Sequence, residues 1–158
     1  MSGSGAPNQK IPQLANVRIG IATAQWHREI SDALLSGAER ACRQAGIQQV
    51  RSDWVPGSFE LPLAAQSLFE AGFEAVVVLG LVLRGQTPHF EYVCDGVTRG
   101  VMDVMLQTKK PIGFGVLMCD TMEQAKARVG LPGSTEDKGF EATVAALEML
   151  QLQRSLLQ

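Results

Sequence analysis

Nine consecutive apolar positions, Ala75 to Leu83 (AVVVLGLVL), dominate the hydropathy pattern of the chain. The run is too short to cross a bilayer and rich in β-branched residues, so it predicts a strand buried on both faces. Val17 to Ala22 (VRIGIA) and Pro111 to Met118 (PIGFGVLM) predict two more strands, and Val50 to Val55 (VRSDWV), with polar interruptions, predicts one nearer an edge. Between these runs the period becomes helical. Ile30, Ala33, Leu34, Gly37, Ala38 and Ala41 recur on one face of a helix predicted over 28–45 and stopped by Gly46. Ser58 is placed to cap a helix over 59–71, and Thr87 with Pro88 to open a long one over 88–109. Thr121 and Gln124 have the form of a capping box ahead of a short helix to about Val129, and Lys138-Gly139 starts a last helix to about Leu157.

Strands alternating with helices imply a single α/β domain over 14–158, with a parallel four-stranded sheet covered on both faces. The Ser, Gly, Pro and Asn rich stretch over 1–13 reads as a flexible tail, although Ile11 and Leu14 give it apolar anchors for a neighbouring subunit. The helix over 88–109 carries Phe90, Val93, Val97, Val101 and Val104 as one apolar stripe, with Tyr92, Met102 and Leu106 on its far side. A second apolar face serves either a subunit interface or additional packing within the chain.

Composition narrows the function classes. With 158 residues, a net charge of −2 and its Lys and Arg scattered singly, the chain has no basic stripe for nucleic acid. Cys42, Cys94 and Cys119 are odd in number, far apart and without a metal-ligand spacing, which predicts free thiols in a reducing cytoplasm and no metal site. No signal-peptide core or transmembrane run is present, so a membrane partner is not expected. No G-x-G-x-x-G follows the first strand and no G-x-x-x-x-G-K-[ST] occurs, so a dinucleotide or nucleotide cofactor is not expected either.

Ligands of parallel α/β sheets bind outside the carboxyl ends of the strands. The loops there hold Trp26, Ser58 to Glu60, Arg84 to His89 and the neighbourhood of Phe114. Trp26 is either a core-capping aromatic or a stacking platform for a planar ligand. Glu60 either compensates a helix dipole or accepts hydrogen bonds from a hydroxylated ligand. His89 falls in the first turn of a helix, where free backbone donors and partial positive charge favour an anion. Arg128 complements a helix C-terminus, and Lys138, at a helix start, opposes the dipole unless Asp137, Glu141 or a ligand offsets it.

Four segments, VPGSFELP (55–62), GLVLRGQTPHFEYVC (80–94), FGVL with EQAKARVG (114–117 and 123–130) and DKGFEATVAALEM (137–149), closely resemble, in order and spacing, the motifs of lumazine synthase. The resemblance spans nearly the whole domain from about Val17, and LLSGAER (34–40) adds to it. It implies a flavodoxin-like three-layer sandwich and the penultimate step of riboflavin biosynthesis, in which 5-amino-6-(D-ribitylamino)uracil condenses with 3,4-dihydroxy-2-butanone 4-phosphate. It further implies that Trp26 stacks on the pyrimidine, that Ser58, Phe59 and Glu60 face the ribityl chain, and that Leu81, Val82, Leu83 and Phe114 complete the pocket with Lys138 reaching towards it. Gln86, Thr87 and Arg128 match phosphate-binding positions, and His89 the proton-transferring histidine.

Many members have Phe-Asn where this chain has Trp26-His27, which leaves His27 without an implied role. The family's sites lie between subunits of a homo-oligomer, and the connection from Gly130 to Asp137, slightly longer than in members that form sixty-subunit shells, resembles that of pentamers. Association with riboflavin synthase belongs to the same implication. Two readings compete with the enzyme: a flavin- or lumazine-binding or shell-forming paralogue that has lost catalysis, and a flavodoxin-like electron carrier.

Overall fold

The computed structural model describes residues 10–157. Four strands, β1 (Arg18–Ala24), β2 (Gln49–Val55), β3 (Ala75–Leu83) and β4 (Ile112–Cys119), form one parallel sheet in the order β2-β1-β3-β4. This is the flavodoxin-like order without its fifth strand. Between the strands run α1 (Arg28–Gln44), a 3₁₀ turn (Ser58–Glu60) that leads into α2 (Leu61–Glu70), and α3 (His89–Thr108). The short α4 (Met122–Lys126) and the long α5 (Lys138–Leu156) follow β4.

The continuous apolar run becomes β3 because an interior strand of a parallel sheet is covered twice; its first seven residues are buried. Ile19, Ile21, Val77, Leu79 and Leu117 point towards α1 and α5. Ala22, Val76, Val78, Ile112 and Val116 point the other way, towards α2 and α3. These alternating sets make two cores, one on each side of the sheet, and so three layers. Strand β2, with its polar interruptions, lies at an edge and is largely exposed.

Small residues bring the layers close. A Cβ on Gly139 would sit on the backbone carbonyl of Leu34, so α5 crosses α1 at a distance only glycine permits. Asp137 caps α5 by accepting from the Phe140 amide at 3.0 Å and is ion-paired with Arg40 of α1.

Several sequence expectations need correction. Strand β1 runs on through Thr23 and Ala24, two residues past its expected end at Ala22, beyond which an exit loop is expected. Helix α4 ends at Lys126, so Arg128 lies beyond it rather than in its last turn. Neither Ser58 nor Thr87 caps a helix: Gly57 precedes the 3₁₀ turn, Pro88 holds the cap position of α3, and neither end has a side-chain cap. Thr121 does cap α4, accepting from the Gln124 amide at 3.3 Å, while the Gln124 side chain accepts from the Asp120 amide at 2.8 Å. Residues 1–9 of the expected tail lie outside the described residues. Within the rest, Leu14 is buried, Ile11 packs against the α1/α5 core, and Gln13 donates to the Gln44 carbonyl at 3.0 Å. No helix among the described residues is long and apolar enough to cross a membrane.

Candidate active site

Strand order reverses between β1 and β3, and there the sheet opens a cleft of about 640 Å³ at the carboxyl ends of its strands. Three segments and one helix supply its walls. Trp26 and His27 follow β1, Gly57 to Glu60 follow β2, Leu81 to Leu83 end β3, and His89, Tyr92 and Val93 come from the first turns of α3.

Trp26 is 68 % exposed, which excludes the core-capping role. Its indole lies against the Gly57 turn, since a Cβ on Gly57 would meet it at 3.5 Å and the Glu60 carboxylate at 3.1 Å. His27 sets this geometry with a left-handed backbone at φ 55° and ψ 60°, and the Trp26 carbonyl accepts from the Ser31 hydroxyl at 3.0 Å. Ser58 is 6 % exposed, and its hydroxyl has no hydrogen-bond partner among the described residues. It fits over β3 because position 80 is glycine: a Cβ there would approach the hydroxyl to 2.8 Å. A buried hydroxyl without a partner is costly, and a hydroxylated ligand entering the cleft would satisfy it.

His89 is exposed, and its imidazole makes no side-chain hydrogen bond among the described residues. Gln86 and Thr87, on the loop before it, are exposed as well. Arg84, at the base of that loop, pairs with Asp120 and Glu91, which hold its guanidinium above its ordinary value; Arg84 in turn holds the Glu91 carboxyl below the usual range.

The structure therefore brings Trp26, Ser58, Phe59, Glu60, Leu81, Val82, Leu83 and His89 to one cleft, while Gln86, Thr87, Phe114, Arg128 and Lys138 are not part of its lining. Phe114, expected near the carboxyl ends of the strands, is instead the third residue of the edge strand β4, in its amino-terminal half, and is 39 % exposed. Arg128 and Lys138 are neighbours, joined by the Lys138 amide donating to the Arg128 carbonyl at 2.9 Å and by a shared carboxylate, Glu136, at 3.6 and 3.4 Å. Burial alone would lower the Lys138 ammonium, but Glu141 and Glu136 offset it and hold the group above its ordinary value. Arg128 also donates to the Gln124 carbonyl at 2.7 Å, a helix-end use consistent with its structural reading.

Sequence reasoning gave no ligand-facing role to His27, Tyr92 and Val93, which also line the cleft. Helical spacing carries a signal for Tyr92, three residues after His89 and therefore on the same face. On the rest of α3, Met102 and Leu106 are 47 % and 65 % exposed, so the additional packing within the chain does not occur.

Comparison with known proteins identifies the family. A family model described as 6,7-dimethyl-8-ribityllumazine synthase matches residues 16–154. A protein of that name from Frankia casuarinae is 52 % identical over 157 residues, covering 99 % of this chain and 98 % of its own. Those from Streptomyces coelicolor and Saccharopolyspora erythraea are 48 % and 52 % identical, each covering 99 % of this chain and 97 % and 94 % of their own.

Proposed function

Since the chain belongs to the 6,7-dimethyl-8-ribityllumazine synthase family, we propose that it condenses 5-amino-6-(D-ribitylamino)uracil with 3,4-dihydroxy-2-butanone 4-phosphate. The products are 6,7-dimethyl-8-ribityllumazine, phosphate and two molecules of water. The observation that carries this reading is the convergence of an exposed indole, an unpartnered buried hydroxyl, a carboxylate and an imidazole on one cleft.

Trp26 offers a face for the pyrimidine. Ser58 and Glu60 accept from the ribityl hydroxyls, and Phe59 with Leu81 to Leu83 walls that arm. The 5-amino group of the pyrimidine attacks the ketone carbonyl and a first water is lost to form an imine; phosphate leaves to give an enol that becomes a new ketone, the ribitylamino nitrogen attacks that carbonyl to close the ring, and a second water departs. Each stage moves protons, a task suited to an imidazole, and that role is assigned to His89. General acid-base help contributes typically ~10²–10⁴-fold, and the remainder comes from holding both reactants in one geometry. Gln86, Thr87 and the first turn of α3 supply donors for the phosphate, with Arg128 as its fixed cation.

Arg128, Phe114 and Lys138 lie outside the cleft of their own chain, which supports a homo-oligomer in which they complete a neighbour's site. The exposed apolar face of α3 supports the same assembly, and the length of the connection between Gly130 and Asp137 favours a pentamer. Lumazine formation from the two substrates, followed by absorbance, tests the activity. His89→Ala should slow turnover, and Arg128→Ala should chiefly raise KM for the butanone phosphate. Failure of either substrate to bind the parent protein would refute the assignment.

A further inference from the structure

His89 lacks the third group that orients a catalytic base in many enzymes, for no side chain among the described residues hydrogen-bonds to it. Its position is therefore set by where α3 begins. Four exposed residues, Gly85 to Pro88, separate that beginning from the last residue of β3 and its successor, and they include no buried anchor.

Arg84 stands at the base of this loop and uses most of its side chain there. Its amide extends the β3/β4 ladder by one bond, donating to the Cys119 carbonyl at 2.9 Å. Its Nε donates to Asp120 at 2.5 Å and its Nη1 to Glu91, while the guanidinium carbon lies 4.2 Å from the centre of the Phe90 ring. Phe90 and Glu91 are the two residues after His89. Asp120 leads into the Thr121/Gln124 cap of α4, through its amide bond to Gln124. One side chain thus spans the end of β3, the first turn of α3 and the exit of β4.

We propose that Arg84 is a positioning residue for the reaction, fixing the start of α3, and with it His89, against the sheet edge. The inference rests on the reading of His89 as the proton-transferring group. Surface ion pairs contribute little to stability individually, so the value of this one lies in geometry. An arginine is required because only a planar fork can face two carboxylates and stack on a ring at once; lysine supplies a point charge. A displacement of the order of 1 Å at the reacting groups costs up to about a hundredfold in rate.

Steady-state kinetics of Arg84→Gln, Arg84→Lys, His89→Ala and the Arg84→Gln/His89→Ala double variant provide the test, with intact assemblies verified by light scattering. The expected result is a fall in kcat of about ten- to a hundredfold for both Arg84 variants. KM for the ribitylaminouracil should stay within about twofold, because Trp26 and Ser58 to Glu60 hang from other segments. In the His89→Ala background the Arg84→Gln effect should shrink to less than about threefold, as expected of groups acting as a unit. A fully active Arg84→Lys, or an Arg84→Gln loss that persists undiminished in the His89→Ala background, overturns the inference. An unimpaired His89→Ala would instead overturn the role of His89 itself. Should Arg84→Gln fail to assemble, Asp120→Asn, which leaves Arg84 on Glu91 and Phe90, is expected to give a smaller fall in kcat with the same unchanged KM; an unchanged kcat there counts against the proposal.

Discussion

At His27 the backbone adopts a conformation that costs an ordinary L-residue about 1–2 kcal/mol, and that Asn, Asp and His tolerate better than most. This accounts in physical terms for an Asn at the matching place in resembling proteins: the position selects residues that accept positive φ and so aim the preceding aromatic ring into the cleft. His27→Asn should therefore be close to neutral in stability and turnover, whereas His27→Val should cost about 2 kcal/mol and weaken binding of the pyrimidine substrate. Chemical denaturation and KM measurements check both. The single sequence held no hint of this, since positive φ at a non-glycine residue is imposed by the turn between β1 and α1. It equally concealed that Ser58 turns its hydroxyl inward instead of capping, because burial there depends on Gly80 lying beneath it.

Cys42 illustrates a quieter consequence of residue environment. Burial, the largest influence, together with Glu39, pushes its thiol up to about 11. Its ordinary value is 9.0, at which an unfolded chain releases the proton, so between these values the folded state binds more protons and stability must fall as pH rises. The loss should reach the order of 2 kcal/mol by pH 11 and be absent from Cys42→Ala when the two proteins are unfolded in parallel across that range.

Among the elements, the crossing of α1 and α5 carries the most strain-sensitive contact. Gly139→Ala places a methyl group on the Leu34 carbonyl, and the two helices must separate. Overpacking of this kind costs typically 1–3 kcal/mol, and because Lys138 begins the displaced helix, activity should fall along with the melting temperature. Strands and long helices were legible in the sequence because period and burial coincide: the unbroken β3 run and the small-residue stripe of α1 admit one reading each. Helix starts were less so. Pro88 fixes where α3 begins, yet Thr87 stays exposed, since a short polar loop held at its base by Arg84 leaves the cap unused.

For the whole molecule, the division of predicted site residues is the informative result. Trp26, Ser58 to Glu60, Leu81 to Leu83 and His89, at or just beyond the ends of β1, β2 and β3, meet in one cleft, as strand-end reasoning predicts, whereas Gln86, Thr87, Phe114, Arg128 and Lys138 do not line it. No reading of one chain's topology locates a residue that serves another chain. If sites are shared, co-expression of His89→Ala with Arg128→Ala should yield mixed assemblies more active than either variant alone, because some clefts then receive both intact groups. Activity no greater than the average of the two would place each site within a single subunit. Sedimentation of the parent protein measures the assembly size, for which five copies are expected.

The connection between α4 and α5 is closed at its neck. Gly130 donates to the Glu136 carbonyl at 3.0 Å, Val129 bridges to Asp137, and Ser134 and Thr135 bond back to the end of α4. Leu131 to Gly133 form its tip, with open space beside Gly133. Extra residues at that tip would bulge outward and leave the cations below the neck undisturbed. If protomers meet through this connection, the angle between them would be decoupled from the arrangement of charges beneath it, so the architecture of a particle could drift while its turnover is kept.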